Sequence, residues 1–156
     1  MMLGVQYRLR MWGAVTLIAV LAAVTAEAAP SNDLTVDQLK AKLASTSTGD
    51  RPHLCVQIAQ KQLAEADKEY AASDFEKGQA ALADVVAYSE LARDYAIQSH
   101  KYQKQAEIAV RAMARKLTEL MHSLGHDDQA PVQDALNRLQ RVRDDLLMAM
   151  FPKGAK

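Results

Sequence analysis

The stretch Phe75-Glu-Lys-Gly78-Gln-Ala-Ala-Leu-Ala-Asp-Val85-Val86-Ala-Tyr88-Ser-Glu-Leu-Ala92-Arg-Asp-Tyr95-Ala-Ile97-Gln-Ser99-His100-Lys-Tyr102-Gln-Lys-Gln-Ala106-Glu-Ile108-Ala-Val110-Arg-Ala-Met113-Ala-Arg-Lys-Leu117-Thr-Glu-Leu120-Met-His-Ser-Leu124 holds no proline, and its only glycine is near its start. Apolar and small residues recur three and four apart from Val85 through Tyr88, Ala92, Tyr95, Ser99, Tyr102, Ala106, Val110, Met113 and Leu117 to Leu124. That is the spacing of one helix face. The reading favoured here is one helix over 75–124, roughly 75 Å long at 1.5 Å per residue. Gly125 is expected to stop it as a left-handed cap. The alternative is a break near Ser99-His100, which gives a compact four-helix bundle.

Working outward, a helix is expected over about 51–72, with Asp50 as cap and Pro52 in its first turn. Its apolar stripe is Leu54, Cys55, Ile58, Ala59, Leu63, Ala66 and Tyr70. Another runs over about 130–150, with Asp127 or Asp128 as cap, Pro131 near its start and a stripe through Val132, Leu136, Leu139, Val142, Leu146 and Met150. Short turns make neighbouring helices antiparallel. The two flanking helices are therefore expected to pack on the two halves of the long one. Thr35-Val36-Asp37-Gln38 has the form of a capping box and starts a short N-terminal helix. The fold class is all-α, with 29–50 as short helix and linker, 51–151 as helical domain and 152–156 as tail.

Residues 1–28 have the form of a secretory signal. Arg8 and Arg10 supply a positive start, Met11 to Val24 is an uncharged and mostly apolar run, and Ala26-Glu27-Ala28 is a small-x-small cleavage site. The run is shorter than the roughly 20 residues a membrane span needs. The expectation is export to the periplasm or beyond, with no membrane span after cleavage. Removing residues 1–28 from the chain of 156 leaves one domain's worth of sequence.

Composition excludes several classes. Nineteen Lys+Arg against 19 Asp+Glu argue against a basic nucleic-acid binder. One cysteine excludes a disulfide scaffold and a multi-cysteine metal site. No phosphate-binding glycine loop, Gly-x-Ser-x-Gly or His-Glu-x-x-His occurs, so no enzymatic activity and no cofactor are expected. Cys55 lies on an apolar stripe and is expected to be buried rather than reactive. His122, His126, Asp127 and Asp128 are weak metal candidates. Their plainer role is to complement helix ends, with Gly125 separating the two histidines. Tyr88, Tyr95 and Tyr102 repeat every seven residues and read as core before they read as a docking strip. Val86, Ile97 and Ile108 lie on the opposite face and are candidates to seat another helix or a second subunit. Residues 95–126 carry Lys101, Lys104, Arg111, Arg115 and Lys116 against Glu107 and Glu119, and Arg111, Arg115 and Lys104 make a modest basic face, for which solvation is the default.

The stretch from Leu63 to Ala80 carries Tyr70, Asp74, Phe75 and Gly78 at spacings that resemble the helical hairpin of tetratricopeptide repeats, with Ser73 where the turn glycine is usual. Hairpins of exported bacterial helical proteins are similar. No 34-residue period follows, and the next helix is longer than such a repeat allows. Leu34-Thr35-Val36-Asp37-Gln38 resembles the Leu-Thr-x-x-Gln motif of small Spy-like periplasmic chaperones, in a single copy. Together these readings point to an exported helical interaction or structural protein of the bacterial envelope, with a protein partner or a second copy of itself. A small periplasmic chaperone, or a stress or metal-binding protein, is the alternative.

Overall fold

The structure is a computed structural model and describes residues 33–153. The signal sequence, its cleavage site and the end of the tail lie outside the described residues. The described residues form five α-helices: α1 (Val36–Ser45), α2 (Arg51–Ala71), α3 (Phe75–Ser99), α4 (Gln103–Ser123) and α5 (Gln129–Met150). A 3₁₀ turn over His126–Asp128 leads into α5. The described residues contain no strand.

Two helix starts form as the sequence predicts. Thr35 Oγ1 accepts from the Gln38 amide at 3.2 Å, and the Thr35 amide donates to Gln38 Oε1 at 2.9 Å. This completes the capping box of α1. Asp74 accepts from the Lys77 amide at 3.2 Å and pairs with Lys77 Nζ at 2.8 Å. Those side-chain and backbone bonds hold the Asp74 carboxyl below its ordinary value. The cap therefore stays charged at neutral pH and is lost as pH falls through that lowered value.

Two other ends differ from expectation. Asp50 makes no capping bond and instead accepts from Ser47 Oγ at 3.0 Å. Asp128 sits at the start of α5 with helical backbone and caps nothing with its side chain. Gly125 is extended, with φ −62° and ψ 154°, so it ends α4 without a left-handed cap.

The single long helix does not form. His100 (φ 55°) and Tyr102 (φ 60°) both adopt the left-handed region, and the chain turns there between α3 and α4. The break near Ser99-His100 is the arrangement present. A left-handed residue other than glycine costs about 1–2 kcal/mol. Turning back lets α4 bury Val110, Met113 and Leu117, each at most 2% exposed. Full burial of such a side chain contributes about 1.5–3 kcal/mol, so three of them outweigh two strained residues. The periodic stripe concealed the turn because the face it marks is buried on both sides of the break.

The helices form two antiparallel hairpins, α2–α3 and α4–α5, laid on each other with α3 along α5 and α2 along α4. One core cluster runs through all four helices, including Leu63, Leu82, Val85, Leu117, Leu139 and Leu146. A smaller cluster of Leu39, Leu54 and Ile58 docks α1 on α2. Asp84 of α3 ties that corner together, accepting from Lys40 Nζ of α1 at 3.2 Å and from Gln62 Nε2 of α2 at 2.9 Å.

Candidate functional site

At the turn between α2 and α3, Tyr70 is 4% exposed and its ring lies on Gly78. A β-carbon at Gly78 would fall 2.8 Å from the Tyr70 ring carbons Cδ2 and Cε2. Phe75 meets the same ring edge-on at 5.9 Å. Ser73, with φ 60°, makes the turn in place of a glycine. The Tyr70 hydroxyl is buried with no hydrogen-bond partner. Burial, with the nearby Asp128 charge adding to it, raises its pKa. An unpartnered buried hydroxyl costs about 1–3 kcal/mol. Tyr70→Phe is therefore expected to leave urea stability equal or up to about 1 kcal/mol higher. A loss of more than about 1 kcal/mol would show that the hydroxyl is bonded in solution.

Two of the three tyrosines of the strip, Tyr88 and Tyr95, are covered by the chain itself. Tyr88 is half-buried between the two core clusters, with Lys40 Nζ 5.4 Å from its ring centre. Tyr95 is half-buried, with the Arg51 guanidinium carbon 5.2 Å from its ring centre and Arg51 NH1 donating to its hydroxyl at 3.3 Å. Tyr102 is 36% exposed and stacks on His53 at 5.9 Å. These rings dock α1 and the start of α2.

The opposite face of α3 is also occupied. Glu90 receives Arg138 of α5 through a two-pronged pair at 2.9 and 3.0 Å, and Arg93 NH1 reaches Asp145 at 2.9 Å. Val86 and Ile97 lie in the same helical row. Val86 is buried and Ile97 is half-buried against the main core. The helix seated on this face is α5. Ile108, by contrast, is exposed.

Four large apolar residues outside the sequence-level candidates are also exposed: Leu34, Leu91, Met148 and Phe151. Their signal was available, since Met148 falls out of phase with the stripe of its helix and Phe151 lies beyond the helix end. The pairing of residues 90 and 93 with 138 and 145 shows that α5 runs parallel to α3. The end of α5, the end of α3 and the start of α4 therefore meet at one end of the bundle. Tyr102, Ile108, Met148 and Phe151 all lie at that end.

The remaining chemistry is largely paired. Glu107 of α4 is buried, with Arg143 Nε donating at 2.9 Å and Arg111 at 3.4 Å. Arg111 is thus taken from the basic face, while Lys104 and Arg115 stay exposed. Nothing local in the sequence marks Glu107 as buried. Cys55 is fully buried, and burial pushes its thiol up to about 11, outweighing Arg51 one turn away. It is held as the neutral, unreactive thiol at physiological pH. His122, His126 and Asp127 are exposed and Asp128 is half-buried. Among the described residues, no three His, Cys, Asp or Glu side chains are grouped to hold a metal ion.

Open clefts lie between helices rather than inside the core. One of about 460 Å³ separates α2 from α4, with Leu63 and Leu120 on its floor and Asp67, Lys116 and Glu119 on its walls. Another of about 420 Å³ follows the charged α3–α5 seam. No helix among the described residues is long and apolar enough to cross a membrane.

Comparison with known protein families, curated proteins and solved structures yields no match. The tetratricopeptide and Spy-like resemblances therefore rest on the residues quoted for them alone.

Proposed function

We propose that this chain is an exported, non-catalytic helical module of the bacterial envelope that binds a protein partner through the end of the bundle carrying the α3–α4 turn. The observation that carries the reading is that the exposed residues Tyr102, Ile108, Met148 and Phe151 lie on segments that meet at that end. The faces of Tyr88 and Tyr95 and of Val86 and Ile97 are covered by the chain's own helices. Export rests on the charged start, short apolar run and small residues of 1–28. The helical-hairpin resemblance of 63–80 agrees with an interaction role and supplies no ligand.

Photo-crosslinking in exporting cells tests this. A crosslinking amino acid at Phe151 is expected to yield a defined protein adduct, and one at exposed Gln79, at the other end of the bundle, none. Osmotic shock is expected to release a chain shortened by the signal. Equal adducts at both positions, or the full-length chain in the cytoplasm, would overturn the reading. Suppression of client aggregation at stoichiometric amounts would favour the small-chaperone alternative.

A further inference from the structure

The junction between α3 and α4 is poorly specified by its own residues. Helices α1 and α3 begin with side-chain caps. Helix α4, like α2 and α5, does not: Tyr102 caps nothing with its side chain, the last turn of α3 has no basic residue and the first turn of α4 no acidic one. Its two left-handed residues are His100 and Tyr102, where glycine would be at ease. Ser99-His-Lys-Tyr-Gln103 contains no residue that forbids helix, and the apolar stripe keeps its phase across it. Within the turn, Ser99 Oγ accepts from the Lys101 amide at 3.3 Å; the remaining contacts that hold it are tertiary, the Tyr102 ring on His53 and the packing of α4–α5 on α2–α3. The helix packing does not require both partners to belong to one chain.

We propose that this protein exchanges its α4–α5 hairpin with a second copy. In the exchanged form residues 75–123 become one helix of roughly 73 Å, and each α4–α5 hairpin lies on the α2–α3 hairpin of the other copy. The Glu90–Arg138 and Arg93–Asp145 pairs re-form between chains, so the core contacts are conserved. His100 and Tyr102 relax to helical backbone, and amides and carbonyls left free at the turn gain helical hydrogen bonds. Strained short hinges favour such exchange, and the opposing term is the entropy of association. The single chain therefore dominates when dilute and the exchanged dimer when concentrated. Tyr102 and Ile108, exposed beside the hinge of the single chain, meet their counterparts where the two straightened hinges cross. This state needs no foreign partner, and its test does not depend on the docking reading above.

Spin labels on Gln79→Cys and Glu119→Cys read the hinge directly, because both positions are exposed while Cys55 is buried. In the single chain both labels sit at the same bundle end, within about 20 Å, or two helix widths. Across a straight helix the 40 intervening steps place them about 60 Å apart. Labelled chain is mixed with excess unlabelled chain, refolded from urea at high concentration and separated by size. The expected result is a dimer fraction carrying the distance of about 60 Å and a monomer fraction carrying only the short one. His100→Ala with Tyr102→Ala favours helix and removes the stacking contact, and should raise the dimer fraction about tenfold. His100→Gly with Tyr102→Gly relieves the strain without straightening and should lower it about tenfold. A dimer showing only the short distance would overturn the proposal. So would absence of the long distance from the concentrated parent, a result that holds even if neither double variant folds.

Discussion

Leu139→Ala is expected to destabilise the protein by about 2–5 kcal/mol. Leu139 is fully buried in α5, in the cluster that joins all four long helices. Truncation loses the transfer free energy of the side chain and leaves a space that neighbours on several helices cannot all close. A urea melt followed by circular dichroism measures the change. The same substitution at Leu91 on α3, which is 38% exposed, should cost less than about 1 kcal/mol. Equal losses at the two positions would mean that the α5 seam is loosely packed in solution.

Gly78→Val is the second large effect, and its sign is the informative part. Intrinsic propensity ranks glycine below valine inside a helix, so a reading of α3 as an isolated helix predicts a gain. The Tyr70 ring lies where the new β-carbon would be, and Phe75 holds that ring from the side. Overpacking of this kind costs about 1–3 kcal/mol, more than the propensity gain of a few tenths. Net destabilisation by about 1–3 kcal/mol is therefore expected in a urea melt, with Gly78→Ala milder in the same direction. A more stable Gly78→Val variant would show that the tyrosine ring is free to move aside. Tyr70→Ala combined with Gly78→Val should lose less than the two changes summed, because the clash disappears with the ring.

Much of the helical content was legible from local chemistry. Thr35 with Gln38 marks one start and Asp74 another, and each acts within three residues of chain. The stripes through Leu54 to Tyr70 and Val132 to Leu146 mark faces that are indeed buried. The gathering of apolar groups at one end was only partly legible. Ile108 stood out by its phase, whereas Met148 and Phe151 matter because α5 ends beside the start of α4, a relation between segments some 40 residues apart.

Sequence alone determined the helix class, the boundaries set by caps and breakers, and the burial of Cys55, because these follow from interactions spanning one or two helical turns. Only the tertiary structure decided that residues 75–124 turn back at His100–Tyr102. Local preference there favours continuous helix, and it yields because burying the apolar face of α4 against the other helices outweighs two strained residues. The same cause hides Glu107 between Arg143 and Arg111 and gives the face of Val86 and Ile97 to α5. A stripe records which side of a helix avoids water. Which element covers that side depends on how the whole chain folds back on itself.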